Sequence, residues 1–182
     1  HSKASKLVND LFTGKIDGLK ASLIIIEEFL QGEEASFICL ISGGKVVPLA
    51  SSKDHKKLNN GDHGPNTGGM GAYSPTKLID SKISDIAINK IIIPTLNELK
   101  KQNIEYEGFL YAGLMIDKNQ KPYVLEYNCR LGDPEAQAIL MRLESDIVEI
   151  FLATVNKKLD DLEIKWKNES ACTIVLASEG YP

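Results

Sequence analysis

The chain has 182 residues, a length that suits one ordinary domain or two small lobes that share a core. Hydrophobic residues make up 43% and charged residues 25%, as in globular proteins, and no apolar run approaches the roughly 20 residues of a membrane-spanning helix. The basic side chains behind the net charge of −4 are scattered, which argues against nucleic-acid binding, and three cysteines without CxxC spacing favour a reduced protein.

The first part of the chain predicts one helix and then three strands. Apolar residues recur with helical spacing over residues 6–12, and Gly14 follows as a stop signal. Gly43-Gly44 is typical of a hairpin turn. Three strands are predicted around it, which we expect to form an antiparallel meander: Ser22–Leu30 (rich in Leu and Ile, and expected to be buried), Ala35–Ser42 and Lys45–Ala50.

Residues 51–75 break this pattern, since they contain five glycines, two prolines and almost no aliphatic side chains. A structureless loop of this length inside a compact domain usually belongs to a functional site or is disordered. Glycines let backbone amides approach an anion closely, and the lysines and histidines here add positive charge. The loop has no Gly-Lys-Ser/Thr before a helix, as a P-loop requires, and no HExxH or cysteine cluster completes a zinc site.

The second half alternates helices and strands. Helical spacing continues from Ile79 to Leu99, where Pro94 predicts a kink or break near Ile93. The remaining predicted elements are two paired strands, two helices and a closing strand: Phe109–Asp117, Pro122–Asn128, Pro134–Leu143, Asp146–Leu159 and Cys172–Ala177. The order is mixed α+β with antiparallel strands dominating.

Residues 124–130 carry side chains suited to a metal and a phosphate. Alternate residues of a strand share a face, so Glu126 and Asn128 point the same way, about 7 Å apart at the backbone, and Arg130 joins them if the strand continues. Mg²⁺ prefers such oxygen ligands together with substrate phosphates, and arginine offers phosphate a fixed fork of donors. A turn after them brings two more acids to the same end, Asp133 and Glu135. On residue types alone, the solvated face of a half-exposed strand explains the pattern equally well.

The polar turn after the first predicted strand is a second candidate site. An adenine ring needs an apolar slot with one backbone carbonyl and one backbone N–H, and a ribose needs a carboxylate nearby. Residues 26–34, with four carboxylates, offer these groups. A charged surface turn is the commoner interpretation of such a pattern when the residues alone are considered.

Five strings of residues carry a family resemblance, in the family's order and spacing: Glu27–Ser36, Lys53–Lys56, Gly64–Pro75, Gly108–Met115 and Glu126–Glu135. On these strings the chain resembles the phosphoribosylamine–glycine ligases, also called glycinamide ribonucleotide synthetases, of the ATP-grasp superfamily. The resemblance extends from about Ser22 to Pro182. Several strings are specific to this family rather than to ATP-grasp enzymes in general.

The resemblance implies a partial ATP-grasp fold of the α+β class, an antiparallel sheet with flanking helices. Residues 1–30 would be a remnant of the small lobe and residues 31–182 the large catalytic lobe, with the N-terminal domain, phosphate flap and C-terminal domain absent. The implied reaction joins glycine to 5-phosphoribosylamine through glycyl phosphate, in purine biosynthesis, with ATP and Mg²⁺ or Mn²⁺ as cofactors. The implied partners are small molecules only, without nucleic acid or membrane. We expect a cytoplasmic, monomeric full-length enzyme and an inactive isolated chain.

Position by position, the resemblance also implies roles for individual residues. The metal ligands would be Glu126 and Asn128, and the catalytic residues Arg130 and Asp133, with Arg130 neutralising charge on the transferred phosphoryl group. The nucleotide would be bound by Glu27, Glu28, Phe29, Leu30 and, at the ribose, Glu34. The pocket for glycine and phosphoribosylamine would be formed by Asp54, His55, Lys56, Asn66, Thr67, Gly68 and Gly69.

One departure and two rival hypotheses accompany this assignment. Many ATP-grasp enzymes have a second metal carboxylate about one strand earlier, where this chain has Ala112-Gly113-Leu114. A ligase for other substrates would keep the Glu126–Asn128 pair but lose the Gly64–Pro75 string, which is present. A non-catalytic descendant would have lost Glu126, Asn128 or Arg130, and all three remain.

Overall fold

The computed structural model describes residues 2–16, 18 and 20–182, which form two compact units that divide between Leu30 and Gln31. In the first unit, helix α1 (Ser2–Thr13) includes the predicted helical residues, and Gly14 follows it with a φ of 73°. The helix end is satisfied locally, because the Ala21 amide donates to the Leu11 carbonyl at 3.0 Å. The predicted helix and its stop are therefore confirmed.

The buried strand predicted over Ser22–Leu30 is wrong. These residues form neither helix nor strand, and four of the apolar side chains are more than three-quarters exposed: Leu23, Ile25, Ile26 and Phe29. Among the described residues, no strand pairs with this segment, so no sheet covers its apolar side chains. An apolar run adopts a buried strand only where neighbouring strands supply hydrogen bonds and packing.

The second unit contains nine strands and four α-helices among its described residues. The strands are β1 (Glu33–Ser42), β2 (Lys45–Pro48), β3 (Lys53–Asp54), β4 (Lys57–Asn59), β5 (His63–Asn66), β6 (Gly71–Ser74), β7 (Gly108–Ile116), β8 (Pro122–Asn128) and β9 (Ala171–Ile174). The helices are α2 (Ser81–Ala87), α3 (Ile93–Lys101), α4 (Glu135–Met141) and α5 (Ile147–Val155). None of the helices in the described part of the chain is long and apolar enough to cross a membrane.

The main sheet is antiparallel, with the strand order β2-β1-β7-β8. The β1–β2 hairpin is confirmed, and both residues of its Gly43-Gly44 turn have positive φ, a conformation that glycine adopts without a steric penalty. The predicted strands over 109–117 and 122–128 are likewise confirmed as β7 and β8. The meander is not, because the second neighbour of β1 is β7, far along the chain, rather than residues 22–30.

Strand β1 is the centre of the core, because both of its faces are covered. Phe37, Cys39 and Ile41 pack on one side with the helical segment 83–92, while Ile38 and Leu40 pack on the other side in the clusters of α4 and α5. This explains its unbroken apolar sequence, since a strand buried on both faces does not alternate. Burial raises the pKa of the Cys39 thiol to about 12, so this cysteine is an inert core residue.

Residues 51–75 contain four short strands, so the prediction of a structureless loop is wrong. Strands β3, β6 and β9 form a second antiparallel sheet, and β4 pairs with β5. Glycine makes the close pairing possible: a Cβ on Gly71 would lie 2.6 Å from the Thr173 carbonyl oxygen. The sequence is glycine-rich here because backbones approach closely, a requirement that hydrophobic periodicity does not reveal.

The kink or break predicted near Ile93 takes the form of a change of helix type, while the backbone remains helical throughout. Between α2 and α3 the helix widens into one π-helical turn, Ile88–Ile92, and Pro94 then lies in the first turn of α3, where its missing N–H is tolerated. Helices α4 and α5 lie within their predicted ranges but are shorter. Asp146 fixes the start of α5 by accepting a hydrogen bond from the Val148 amide at 2.7 Å.

Candidate active site

The side chains of Glu126 and Asn128 meet at the end of β8. The Asn128 Nδ2 atom lies 3.4 Å from Glu126 Oε1, so the two residues share one side of the strand, as their spacing predicts. Gly113 of β7 lies opposite Glu126, and a Cβ there would be 3.1 Å from Glu126 Cγ. The absence of a side chain at position 113 therefore gives the Glu126 carboxyl room on the sheet surface.

Residues from three separate parts of the sequence line one recess beside this pair. Glu34, Asp54, Lys56 and Glu126 all contribute to it. The first three also line a wider cleft of about 400 Å³, together with His55, Asn66 and their neighbours. The structure thus brings together one residue predicted for the ribose, two predicted for the acceptor substrates and one predicted for the metal.

Lys56 is the central positive charge of the recess. Its Nζ atom lies 3.2 Å from Glu34 Oε2. Burial by itself lowers the pKa of Lys56, but the carboxylates of Glu34, Glu126 and Asp54 together raise it by more, so the side chain stays cationic. Glu34 and Lys56, assigned by resemblance to different ligands, are therefore directly linked.

Asp54 is the most perturbed acid of the cleft. Its Oδ1 atom is buried and has no hydrogen-bond partner among the described residues. Burial, followed by the nearby charge of Glu135, raises the pKa of Asp54 to about 7, although Lys56 opposes the shift. Asp54 can therefore gain or lose a proton near neutral pH. The adjacent His55 is exposed and lies with its ring 5.7 Å from that of Tyr73.

The glycine-rich segment is fixed by internal hydrogen bonds. The amide and hydroxyl of Thr67 both donate to the Lys56 carbonyl, at 2.7 and 2.9 Å. The Gly68 amide donates to the Tyr181 hydroxyl at 2.9 Å, and the Gly69 amide donates to Thr67 Oγ1 at 3.0 Å. These two amides therefore already have hydrogen-bond partners within the protein. The substrate-binding role of Asn66, Thr67, Gly68 and Gly69 stays a prediction.

Arg130 and Asp133 lie beyond the end of β8. The strand stops at Asn128, so Arg130 does not continue the Glu126–Asn128 face, and its Nη1 atom donates to the Leu131 carbonyl at 2.7 Å. Asp133 is exposed and accepts a hydrogen bond from Gln137 Nε2 at 3.2 Å. The turn that begins after Asn128 ends the extended backbone needed to align all three side chains. The catalytic roles of both residues stay predictions.

Glu27, Glu28, Phe29 and Leu30 belong to the first compact unit, where they have neither helical nor strand structure. Their predicted contact with adenine stays a prediction. Among the described residues, no cluster of three or more His, Cys, Asp or Glu side chains is arranged to hold a metal ion.

From the sequence, Glu135 has no separate role and is grouped with Asp133 as an acid of the turn after β8. It is 2% exposed, and its Oε1 atom accepts hydrogen bonds from Ser36 Oγ and the Tyr111 hydroxyl, both at 2.7 Å. The available signal was Ser36, a polar residue inside the otherwise apolar run of β1, because a buried hydroxyl needs a partner.

Another cavity of the second unit, about 460 Å³, lies elsewhere. Gly43, Leu96, Lys100 and Lys157 are among its lining residues, and none of the predicted site residues is. It adjoins the Gly43 end of β1, roughly 30 Å along the strand from Glu34. Since chemistry depends on the groups that line a cavity and not on its size, we place the candidate active site at the smaller cleft.

Comparison with solved structures identifies the fold. An L-amino acid ligase from Bacillus licheniformis is similar with a TM-score of 0.57 and 18% identity, covering 84% of this chain and 36% of that one, which is a likeness of fold alone. The phosphoribosylamine–glycine ligase from Thermotoga maritima is similar with a TM-score of 0.81 and 34% identity, covering 100% of this chain and 45% of that one. The sheet, helices and site together define an ATP-grasp domain of the α+β class.

The family can be stated more narrowly. The family model described as "Phosphoribosylglycinamide synthetase, ATP-grasp (A) domain" matches residues 1–136, so the chain belongs to that family. The phosphoribosylamine–glycine ligase of Vibrio vulnificus (strain YJ016) is 50% identical over 180 residues, which is 99% of this chain and 42% of that protein. The chain thus spans less than half the length of the relatives it matches.

Proposed function

We propose that this chain is the ATP-grasp portion of a phosphoribosylamine–glycine ligase, which converts ATP, glycine and 5-phosphoribosylamine into ADP, phosphate and glycinamide ribonucleotide. The observation that carries the proposal is the meeting of Glu126 and Asn128 beside a recess that Glu34, Asp54 and Lys56 also line. Residues 1–30 belong to the small lobe and residues 31–182 to the large lobe. The N-terminal domain, the phosphate flap and the C-terminal domain of the enzyme belong to other parts of the polypeptide.

The reaction proceeds in two steps. A carboxylate oxygen of glycine attacks the γ-phosphorus of ATP, the bond to the bridging oxygen breaks, and ADP leaves with glycyl phosphate formed. The amine of phosphoribosylamine then attacks the carbonyl carbon, phosphate leaves and the nitrogen loses a proton. Glu27–Leu30 bind adenine and Glu34 the ribose, while Arg130 stabilises the negative charge of the transferred phosphoryl group.

Glu126 and Asn128 are suitable for holding a divalent cation. They offer one carboxylate and one amide oxygen at the same edge, and Mg²⁺ commonly takes one or two protein oxygens and completes its shell with phosphate and water. The Asn128 amide now turns its nitrogen toward Glu126. Binding a cation requires the opposite orientation of the amide, which differs by one rotation of the side chain. When bound, Mg²⁺ or Mn²⁺ supplies positive charge that offsets the negative charge of the phosphates.

Glycine and phosphoribosylamine occupy the cleft at Asp54, His55 and Lys56, beside the Asn66–Gly69 segment, and Asp133 is a further catalytic residue. The cleft mixes cations and carboxylates, which suits substrates that carry a carboxylate, a phosphate and amines. The ion pair between Lys56 and Glu34 supports a substrate pocket that adjoins the ribose position. We propose that the complete enzyme is a cytoplasmic monomer that acts on small molecules only.

A chimera tests this function. This chain replaces the matching 180 residues of the Vibrio vulnificus ligase, and ADP formation is measured with and without glycine and phosphoribosylamine. We expect ADP formation that requires both substrates, and a reduction of about 100-fold or more in Glu126→Gln, since one metal ligand is lost. Glu149→Gln, an exposed carboxyl on α5, is the matched control and keeps full activity. A folded chimera that makes no glycinamide ribonucleotide refutes the proposal.

A further inference from the structure

Glu135 is a buried acid without a buried cation. Among the described residues it forms no ion pair, and its carboxyl oxygen Oε1 is satisfied by two hydroxyl donors, Ser36 of β1 and Tyr111 of β7. The two hydroxyls are themselves 2.9 Å apart. Each hydroxyl has a single proton, and both protons are directed at Glu135 in this arrangement. Since an unpaired buried carboxyl is unfavourable for folding, its presence calls for an explanation beyond stability.

The same carboxyl supports the turn that follows β8. A Cβ on Gly132 would lie 2.3 Å from Glu135 Oε2 and 2.7 Å from Oε1, so the carboxyl lies directly against the backbone at this position. The Gly132 carbonyl also accepts a hydrogen bond from the Ala136 amide at 2.9 Å. Glu135 is the first residue of α4, and its carboxyl connects the main sheet with the Gly132–Pro134 turn.

The Gly132–Pro134 turn also contacts the glycine-rich segment, close to Asp54. A Cβ on Gly69 would lie 2.4 Å from Pro134 Cδ, 2.9 Å from Asp54 Oδ1 and 3.2 Å from the Asp133 carbonyl oxygen. Gly69 therefore fills the narrow gap between the turn and Asp54. A displacement of the turn would be transmitted to Gly69 and Asp54, because the packing leaves no free space to absorb it.

From these contacts we propose that Glu135 is a positioning residue, which holds the Gly132–Pro134 turn against the sheet and through it sets the placement of Asp133, Gly69 and Asp54 at the cleft. The catalytic consequence of this positioning rests on the function proposed above. The placement of the turn by Glu135 does not depend on that function.

Electrostatics add a second connection between Glu135 and the cleft. Burial is the main reason for the raised pKa of Asp54, and the charge of Glu135 is the next. Lys56 opposes the shift, while Glu34 adds to it, and these are the charged groups that face Asp54 from the neighbouring elements. Burial and then Glu135 also raise the pKa of Tyr111, which keeps its hydroxyl protonated as a donor.

The structural test uses nuclear magnetic resonance on the 182-residue chain. Glu135→Gln keeps the shape but removes the charge and places an amide against two hydroxyl donors. We expect shifted amide signals at Gly132, Asp133 and Gly69, and an Asp54 carboxyl that titrates at lower pH than in the parent. Glu149→Gln, the exposed control on α5, leaves these signals unchanged. Unchanged signals in Glu135→Gln overturn the proposal.

A second variant covers the case in which Glu135→Gln does not fold. Tyr111→Phe removes one donor and keeps the carboxyl, so we expect smaller shifts at the same turn amides and an Asp54 titration close to that of the parent. Shifts confined to the ring's own neighbours on β7, with none at Gly132 or Asp133, overturn the proposal. The two variants together separate the charge of Glu135 from its hydrogen bonds.

The catalytic consequence is measured in the chimera. Glu135→Gln should lower kcat about 10- to 100-fold, the usual effect of removing a group that orients site residues, and change KM for ATP much less. A parent chimera without ligase activity counts against the proposed function, whereas the resonance experiment judges the role of Glu135 in either case. Full kcat in a folded Glu135→Gln chimera overturns the role in positioning.

Discussion

The protonation of Asp54 makes the stability of this protein depend on pH in a defined direction. Its ordinary pKa of 3.8 applies to the unfolded chain, whereas in the folded chain the pKa is raised to about 7. Between these values the folded state binds the proton more tightly than the unfolded state does. The resulting contribution to stability is fully present below about pH 4 and is lost as pH rises through about 7.

Asp54→Asn removes this titration and keeps the size of the side chain. Between pH 5 and pH 8, the free energy of unfolding of the parent should fall by about 1 to 2 kcal/mol more than that of the variant. This figure allows for solvent screening of a partly exposed group. Urea unfolding, followed by the fluorescence of Trp166, measures the difference. This residue is the only tryptophan of the chain, and it packs against the cluster of Ile38, Tyr111 and Ile139.

A carboxyl on the neighbouring β4–β5 turn provides the control. Asp62 is exposed, and Asn tolerates its positive φ of 61°, so Asp62→Asn should leave the pH dependence of the parent intact. The reasoning fails if Asp54→Asn and the parent lose the same free energy of unfolding between pH 5 and pH 8. It fails equally if Asp62→Asn has the larger effect.

Two further substitutions test packing, each by the same urea unfolding assay. Gly132→Ala places a methyl group 2.3 Å from Glu135 Oε2 and should cost about 1 to 3 kcal/mol, whereas a cost below about 0.5 kcal/mol would mean that the buried carboxyl moves freely. Arg142→Met removes a buried guanidinium that donates to the carbonyls of Lys167 and Glu169 and to Ser74 Oγ, and it should cost about 2 to 4 kcal/mol. A stability equal to that of the parent would show that water satisfies these acceptors.

The sequence predicts most of the main sheet because its signals are local. Gly43-Gly44 predicts the first hairpin, apolar runs predict β7 and β8, and Pro94 predicts an irregularity between α2 and α3. Each depends on turn chemistry or on a continuous apolar segment, which act over a few residues. The partner of a strand is not local information, and so the order β2-β1-β7-β8 could not be derived from the same patterns.

The errors have one physical cause, the dependence of a segment on its neighbours. Residues 22–30 are rich in Leu and Ile, as in a buried strand, yet no described strand pairs with them. The glycines of residues 51–75 are typical of a structureless loop, but the lack of a side chain at Gly71 allows the close approach of Thr173. At the site, the period of two residues predicts the Glu126–Asn128 contact, whereas the burial of Glu135 depends on donors from two distant strands.

The pairing of β6 with β9 has a consequence for the biosynthesis of the protein. Gly71 pairs with Ile174, about 100 residues later in the chain. At about 5 to 20 residues per second, a ribosome needs roughly 5 to 20 s to make that stretch. Strand β8 and its acid–amide pair are synthesised within this interval, while the glycine-rich half of the cleft still lacks the edge strand β9. The glycine-rich side of the cleft therefore becomes complete only after β9 is made, later than the main sheet, whose last strand ends at Asn128.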